Sequence, residues 1–455
     1  MQKTILNNKV LILILMVAFI VRLGVAWSQD PIAPYVFSGG DEGWYLNNGW
    51  AFWTGQASGM HRSGAYDLAT IPTPPLYLLF VGWPQHLMPD GEAVQMIRFM
   101  QVVMSVATLL FIARLASRLG DGRAGIIAAL ALAINPAFMI EPAFIHSETL
   151  YIFLIAGGFY LYFDFAMPAM KAGKTAYRMW ILIGIVWGLA SLTRAPFTVF
   201  PFVVVAFLFL YQWPKGIKRS LWLLATYLVV ILLWTAFNLV AYQRFIIISD
   251  QLMPALWRGA VETDASPEEN DAQLITADDV AACGTDLACV TAITQTRMAE
   301  QVSAQLGSDL GAFISLRLRE LAEAYLQPHG TIPFGHEGLK DLLASAFAGG
   351  FSLEGIGRLL NGEGFWPKLL IYSLHYFGIL AGLIGMVVSR RRWEYSLPLI
   401  ALIVYTTLIH LVLLALPRYI FPLDPIYWVF AAVACVFIWD QLAGARPPLK
   451  ETSEA

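Results

Sequence analysis

Asp41 and Glu42 stand side by side in the run GGDEGWY, from Gly39 to Tyr45, just beyond the first apolar segment of the chain. Two adjacent carboxylates at that place can act as a base, bind a cation or cap a helix. Cationic side chains that interrupt apolar stretches are the second group of interest. Arg194 and Arg418 fall at the outward ends of otherwise apolar segments, and Arg22 and Arg98 are weaker cases. A charge in such a place is costly unless it is paired, so it marks a candidate site for an anion, although snorkelling to headgroups is the ordinary alternative. Glu148, preceded by His146 and Ser147, opens a further apolar segment. It can cap that helix, orient an arginine or bind a cation. Tyr45, Tyr77 and Tyr419 flank these charges and can line a polar pocket or anchor at an interface.

The elements that must hold these groups are membrane helices. Of 455 residues, 58% are hydrophobic and 13% charged, with a mean hydropathy of +0.62, outside the norm for soluble domains. Apolar runs of roughly 17 to 25 residues, the length that spans a bilayer, recur near 10–27, 93–113, 124–140, 147–167, 179–192, 196–212, 220–243, 367–388, 396–416 and 418–438. The expected fold is therefore an all-α polytopic membrane protein of about ten spans. Lys3 and Lys9, Arg114 to Arg123, Lys171 to Arg178, Lys215 to Arg219, Arg390 to Arg392, and Arg446 with Lys450 occupy alternate connections. By the positive-inside rule those connections and both termini are cytoplasmic, so Asp41 and Glu42 face outward. Ala26-Trp27-Ser28 could read as a cleavage site, but Arg22 within the apolar stretch argues for a retained helix.

The organisation expected is an N-terminal membrane region, 1–243, with a first outer loop at 28–92. A polar insertion at 244–366, the C-terminal helices at 367–441 and a cytoplasmic tail at 442–455 follow. The insertion holds 7 basic and 17 acidic residues, a solvated acidic face by ordinary behaviour. Within it, Thr294 to Tyr325 reads as helix stopped by Pro328 and Gly330, and Glu262 to Asp271 as a loop. Cys283 and Cys289 are close in sequence with no His beside them, which favours a small-loop disulfide over a metal site. Nucleic acid is excluded as a partner by the lack of a basic patch outside the cytoplasmic loops. Phosphate loops, HExxH and GxSxG are absent from the sequence.

The collinear set of segments resembles the GT-C type membrane glycosyltransferases, in particular glycosyltransferase family 39, which includes protein O-mannosyltransferases and aminoarabinose transferases. It comprises GGDEGWYLNNGWAFWTGQ, PTPPLYLLFVGW (Pro72 to Trp83), Ser147-Glu148 with Leu150 and Tyr151, GLASLTRAPFTVFP (Gly188 to Pro201), WTAFN (Trp234 to Asn238) and LPRYIFPLDP (Leu416 to Pro425). Thr73 departs from the pattern, for the family often has Lys or His before the PPL turn. The resemblance implies a sugar donor on a polyprenyl phosphate, an acceptor hydroxyl on a glycan, lipid or protein, and inversion at the anomeric carbon. It implies Asp41 as base with Glu42 beside it, and Arg194, Arg418 and Arg22 on the donor phosphate. Glu148, Tyr45, Tyr77 and Tyr419 would line the sugar or acceptor pocket. A lipid phosphate leaves as a stable anion, so no general acid is needed, unlike in glycosidases. A divalent cation is left open, since Asp41, Glu42, Glu148 and His146 lack a metal spacing. The alternatives are a transporter or flippase of lipid-linked sugars, against which no half-to-half repeat is seen, and a lipid-linked oligosaccharide ligase or polymerase.

Overall fold

A computed structural model describes residues 2–31, 41–54, 73–211, 215–242, 245–260, 274–284, 287–335, 338–348 and 350–444. Gly39 and Gly40, the loop expected at Glu262 to Asp271, and Arg446 with Lys450 lie outside the described residues. The described chain is helical, with no strand among the described residues. The main helices are α1 (Gln2–Ser28), α2 (Asp41–Thr54), α3 (Pro75–Leu87), α4 (Asp90–Leu119), α5 (Gly122–Ile134), α6 (Glu148–Leu161), α7 (Tyr177–Thr193), α8 (Phe200–Tyr211) and α9 (Lys215–Tyr242). They continue with α10 (Leu252–Ala260), α11 (Leu287–Ser308), α12 (Leu310–Leu326), α13 (Phe365–Val388), α14 (Trp393–Val412) and α15 (Asp424–Leu442).

Among the described residues, six helical stretches are long and apolar enough to cross a membrane, or seven if one bent pair counts as a span. The expected count of about ten is not reached by length and composition. The segment expected at 124–140 is bent by 70° between α5 and Pro136–Ala143. Asn135 explains the bend: it ends α5, and its Oδ1 accepts the Ala137 N–H at 3.0 Å, capping a new turn that opens with Pro136. The segments expected at 179–192 and 196–212 are the shorter apolar helices Tyr177–Thr193 and Ala195–Tyr211. Those expected at 367–388 and 396–416 fall in one helical stretch, Phe365–Val412, joined by the turn Ser389–Arg392.

Packing in a bilayer cannot rely on expelling water, so close contact and hydrogen bonds must hold the helices together. Phe159, Trp187, Phe197 and Phe200 form a buried aromatic nest, with ring centroids 5.3 Å apart for Phe159 and Trp187 and 5.2 Å for Phe197 and Phe200. The nest fixes the junction between α7 and α8. The WTAFN segment of α9 has a structural use: Trp234 Nε1, Thr235 Oγ1 and Asn238 Nδ2 donate to the carbonyls of Ile248, Ile247 and Ile246 at 2.7, 3.0 and 2.9 Å. An irregular segment thereby has its backbone oxygens satisfied.

The helix expected over Thr294 to Tyr325 is two helices. Asp309 breaks the run with an extended backbone, and its Oδ1 accepts the Ala312 N–H at 2.9 Å as the cap of α12. The end of α12 is tied to membrane helices, since His375 Nε2 donates to the Tyr325 carbonyl at 2.8 Å while Nδ1 faces Asp424 at 3.2 Å. Arg317 of α12 donates to the Leu413 carbonyl at 2.6 Å. Cys283 and Cys289 form the expected disulfide, with Cα atoms 5.6 Å apart.

Candidate functional site

Helix α2 owes its position to α3. A Cβ at Gly82 would collide with the Gly49 carbonyl, so the two helices meet backbone to backbone. Gln85 Nε2 donates to the Leu46 carbonyl at 3.1 Å, and the Tyr45 and Tyr77 rings meet edge to face at 4.7 Å. Glu42 Oε1 accepts the Ile145 N–H at 2.8 Å, tying the start of α2 to the loop that leads into α6. With α2 held at these points, Asp41, its first residue, reaches Arg418.

Four charges from four separate stretches form one chain. Arg418 Nη1 donates to Asp41 Oδ2. Arg418 Nε donates to Glu148 Oε1 at 3.0 Å, and Arg194 Nη1 donates to the same oxygen at 2.7 Å. Exposure falls along the chain, from 47% for the Asp41 side chain through 26% for Arg418 to zero for Glu148. Glu148 sits in the first turn of α6, where the helix dipole favours a carboxylate, and two guanidiniums offset its desolvation. The four formal charges cancel. Burial works against the charge on Arg194, but Glu148 outweighs it and raises the guanidinium pKa.

Each arginine has a structural reason for its place. Arg194 is an extended residue between the end of α7 and the turn Ala195–Phe197, whose Pro196 cannot extend a helix. Arg418 lies in the short helix Pro417–Ile420. The Tyr419 ring touches both, with the Arg194 guanidinium 5.0 Å and that of Arg418 5.9 Å from its centroid. Tyr45 donates to Ser147 Oγ at 3.3 Å; burial, reinforced by Glu148, pushes its phenol up to about 12, so it stays protonated. Tyr77 donates to Gln101 Oε1 at 2.7 Å, and burial raises its pKa well above the ordinary value.

Arg194 and Tyr419 also line a narrow, partly open cleft. Tyr151, Tyr405 and His410 line it together with Leu402, Ile409 and Leu423. The lining thus combines one guanidinium with polar and apolar side chains. Sequence reasoning did not single out His410, Tyr405 or the ring of Tyr151. A lone polar residue on an apolar helix is an ordinary sight, and the only signal was the position of His410 in the last turn before the LPRY segment.

A second node adjoins the first. His146 Nδ1 and His329 Nε2 lie 3.5 and 3.0 Å from the two oxygens of Glu141. Burial opposes a charge on His146, but the Glu141 carboxylate prevails and raises its pKa to about 9. Potential ligand atoms of Glu141, His146 and Glu148 lie within 4.8 Å of one another. Arg194 and Arg418 already neutralise Glu148, so a dication there would face two guanidiniums hydrogen-bonded to one of its ligands. The set fits a metal poorly.

The structure brings Asp41, Glu148, Arg194, Arg418, Tyr45 and Tyr419 together, with Glu42 and Tyr77 behind them. It sets Arg22 apart. The Arg22 side chain is buried, donating from Nε to Ser105 Oγ at 3.1 Å and from Nη2 to the Leu132 carbonyl at 3.0 Å, so it clamps α1 to α4 and α5. Arg98 likewise holds backbone carbonyls of Ala143, Gln29 and Asp30.

The chain has the fold of the GT-C type membrane glycosyltransferases. Residues 73–239 match the family described as dolichyl-phosphate-mannose-protein mannosyltransferase. Among solved structures it is similar to the oligosaccharyltransferase AglB of Archaeoglobus fulgidus in complex with an inhibitory peptide and a dolichol-phosphate, at 15% identity and a TM-score of 0.55 over 98% of this chain and 53% of that one. The apo form of the Archaeoglobus fulgidus oligosaccharyltransferase is similar over 97% and 53%, at 15% identity and a TM-score of 0.52. The chain thus spans about half the length of these proteins. No curated protein matches it in sequence.

Proposed function

We propose that this chain transfers a sugar, hexosyl or pentosyl, from a polyprenyl-phosphate donor to an acceptor hydroxyl at the extracytoplasmic face of an inner or plasma membrane, with inversion. The observation that carries the reading is the charge chain from Asp41 to Arg194, whose last member lines a cleft that also carries apolar side chains. A lipid phosphate has both properties the cleft selects, an anionic head for the guanidiniums and a hydrocarbon tail for Leu402 and Ile409. The dolichol-phosphate bound to AglB supports the same donor class.

Arg194 and Arg418 bind the phosphate and stabilise the charge that grows on it as the glycosidic bond breaks. Phosphate on Arg418 competes with Asp41, and a carboxylate released from its arginine is a better base. Asp41 then takes the proton of the acceptor hydroxyl as that oxygen attacks the anomeric carbon from the face opposite the phosphate. Glu148 holds the two guanidiniums at one spacing, and Glu42 holds the α6 loop. Tyr45, Tyr77 and Tyr419 shape the sugar or acceptor pocket. No step passes through a metal. Both termini are cytoplasmic in this reading, and the insertion at 244–366 is an extracytoplasmic domain that selects the acceptor.

The test is release of free polyprenyl phosphate by purified protein in lipid, from a panel of polyprenyl-phosphate sugars, with membrane extract as acceptor source and Asp41→Asn in parallel. Release that depends on Asp41 is expected. Folded wild-type protein that releases nothing from any single-sugar donor overturns the reading, and release from a lipid-linked oligosaccharide alone turns it into the oligosaccharide-transfer reaction that the name of the AglB neighbours describes.

A further inference from the structure

His410 projects from the last turn of α14 and is 5% exposed. Its Nδ1 lies 3.0 Å from the Leu414 carbonyl oxygen. A carbonyl oxygen can only accept, so Nδ1 carries the hydrogen. Among the described lining residues of the cleft there is no carboxylate to pair with an imidazolium, so the ring is neutral and Nε2 keeps its lone pair. Nε2 makes no hydrogen bond among the described residues, and it is not one of the sealed, unpartnered polar atoms. One face of the imidazole lies against Tyr419, centroids 5.2 Å apart and planes at 20°, which fixes the ring. The same Tyr419 carries the Arg194 guanidinium at 5.0 Å. The Tyr419 ring thus contacts both the oriented imidazole and the cation that would hold a phosphate.

Building on the transferase reading, we propose that His410 selects the donor sugar, its Nε2 accepting a hydrogen bond from a sugar hydroxyl while Arg194 holds the phosphate. The peptide carbonyl of Leu414 sets the tautomer, so this residue reads hydroxyl donors and is indifferent to the lipid. A buried acceptor left without its hydroxyl is costly, which makes the contact a filter between sugars as well as a source of affinity.

Two substitutions separate the ring nitrogens. His410→Asn keeps a donor near Nδ1 for Leu414 and removes the acceptor at Nε2, whereas His410→Gln places an amide oxygen near Nε2. Binding is measured for the full chain in nanodiscs with two probes, undecaprenyl phosphate and the undecaprenyl-phosphate sugar that wild type binds best among the mannose, glucose and arabinose forms. His410→Asn is expected to bind the sugar-bearing probe about tenfold more weakly, the worth of one hydrogen bond. Undecaprenyl phosphate should bind unchanged, and His410→Gln should recover most of the loss. A third arm needs no variant: among donors lacking single hydroxyls, one must bind wild type about tenfold more weakly. Unchanged affinity of His410→Asn for the sugar-bearing probe, equal losses on both probes, or no affected deoxy donor overturns the proposal while the transferase reading stands. Wild type that binds neither probe overturns both.

Discussion

Asp41 and Arg418 are separated by 377 positions in sequence and meet side chain to side chain. Arg418 holds the buried Glu148 at the same time, so the exposed carboxylate at the start of α2 is anchored to the interior through one guanidinium. This contact turns an acidic pair of ordinary sequence appearance into part of a charge chain.

Asp41→Asn should lower transfer by a factor of about 10² or more, the contribution of a positioned base. The change is nearly isosteric at a half-exposed position, so melting temperature and elution should match wild type. Wild-type turnover in this variant removes Asp41 from the reaction.

Glu148→Ala should be the most destabilising substitution in the cluster, because it leaves two guanidiniums facing each other without the buried carboxylate between them. Removing one member of such a buried set costs about 3–5 kcal/mol. Thermal unfolding in detergent reads this directly, and a loss below about 1 kcal/mol, the worth of an exposed pair, would mean that the arginines find water or lipid phosphate instead.

Gly82→Val should separate α2 from α3, since the new side chain meets the Gly49 carbonyl. The expected result is a fall of about 10²-fold in transfer, of the order that a 1 Å misplacement produces, with donor binding at Arg194 largely kept. Equal loss of binding and transfer would show that the whole site had collapsed.

His146 gives a pH signature. Its pKa is raised in the folded protein to about 9 by Glu141, from about 6.5 when unfolded. The stability it contributes is therefore complete below pH ~6.5 and lost as pH rises through about 9. Melting curves of wild type and His146→Phe between pH 6 and 10 should converge toward high pH. A constant gap across that window contradicts the assignment.

Much of this was legible in the chain itself, for identifiable reasons. Arg194, Arg418 and Glu148 stand out because a charge at the edge of an apolar run is expensive, and Asp41 because it belongs to an acidic pair just beyond the first apolar segment. That one oxygen of Glu148 accepts from both arginines was not legible, since residues 148, 194 and 418 meet only through the tertiary fold. Arg22 looked like its fellow arginines in sequence, yet α4 and α5 supply partners that periodicity does not reveal. The bend at Asn135 left a readable sign in the Asn-Pro step, whereas the break at Asp309 was hidden in a run of good helix formers. His410 stayed silent because the hydrogen bond that orients it depends on a carbonyl beyond the helix end.

The four-charge chain also implies an order of biosynthesis. Glu148 and Arg194 are 46 residues apart and can pair early as the chain emerges, one guanidinium on one carboxylate. Asp41, made first of the four, waits for Arg418, made last. Until the final helices arrive, the acidic start of α2 has no cation from this cluster, and the nascent protein cannot assemble the site it will use. Synthesis through Arg418 is thus the event that gives the Asp41 carboxylate its guanidinium partner.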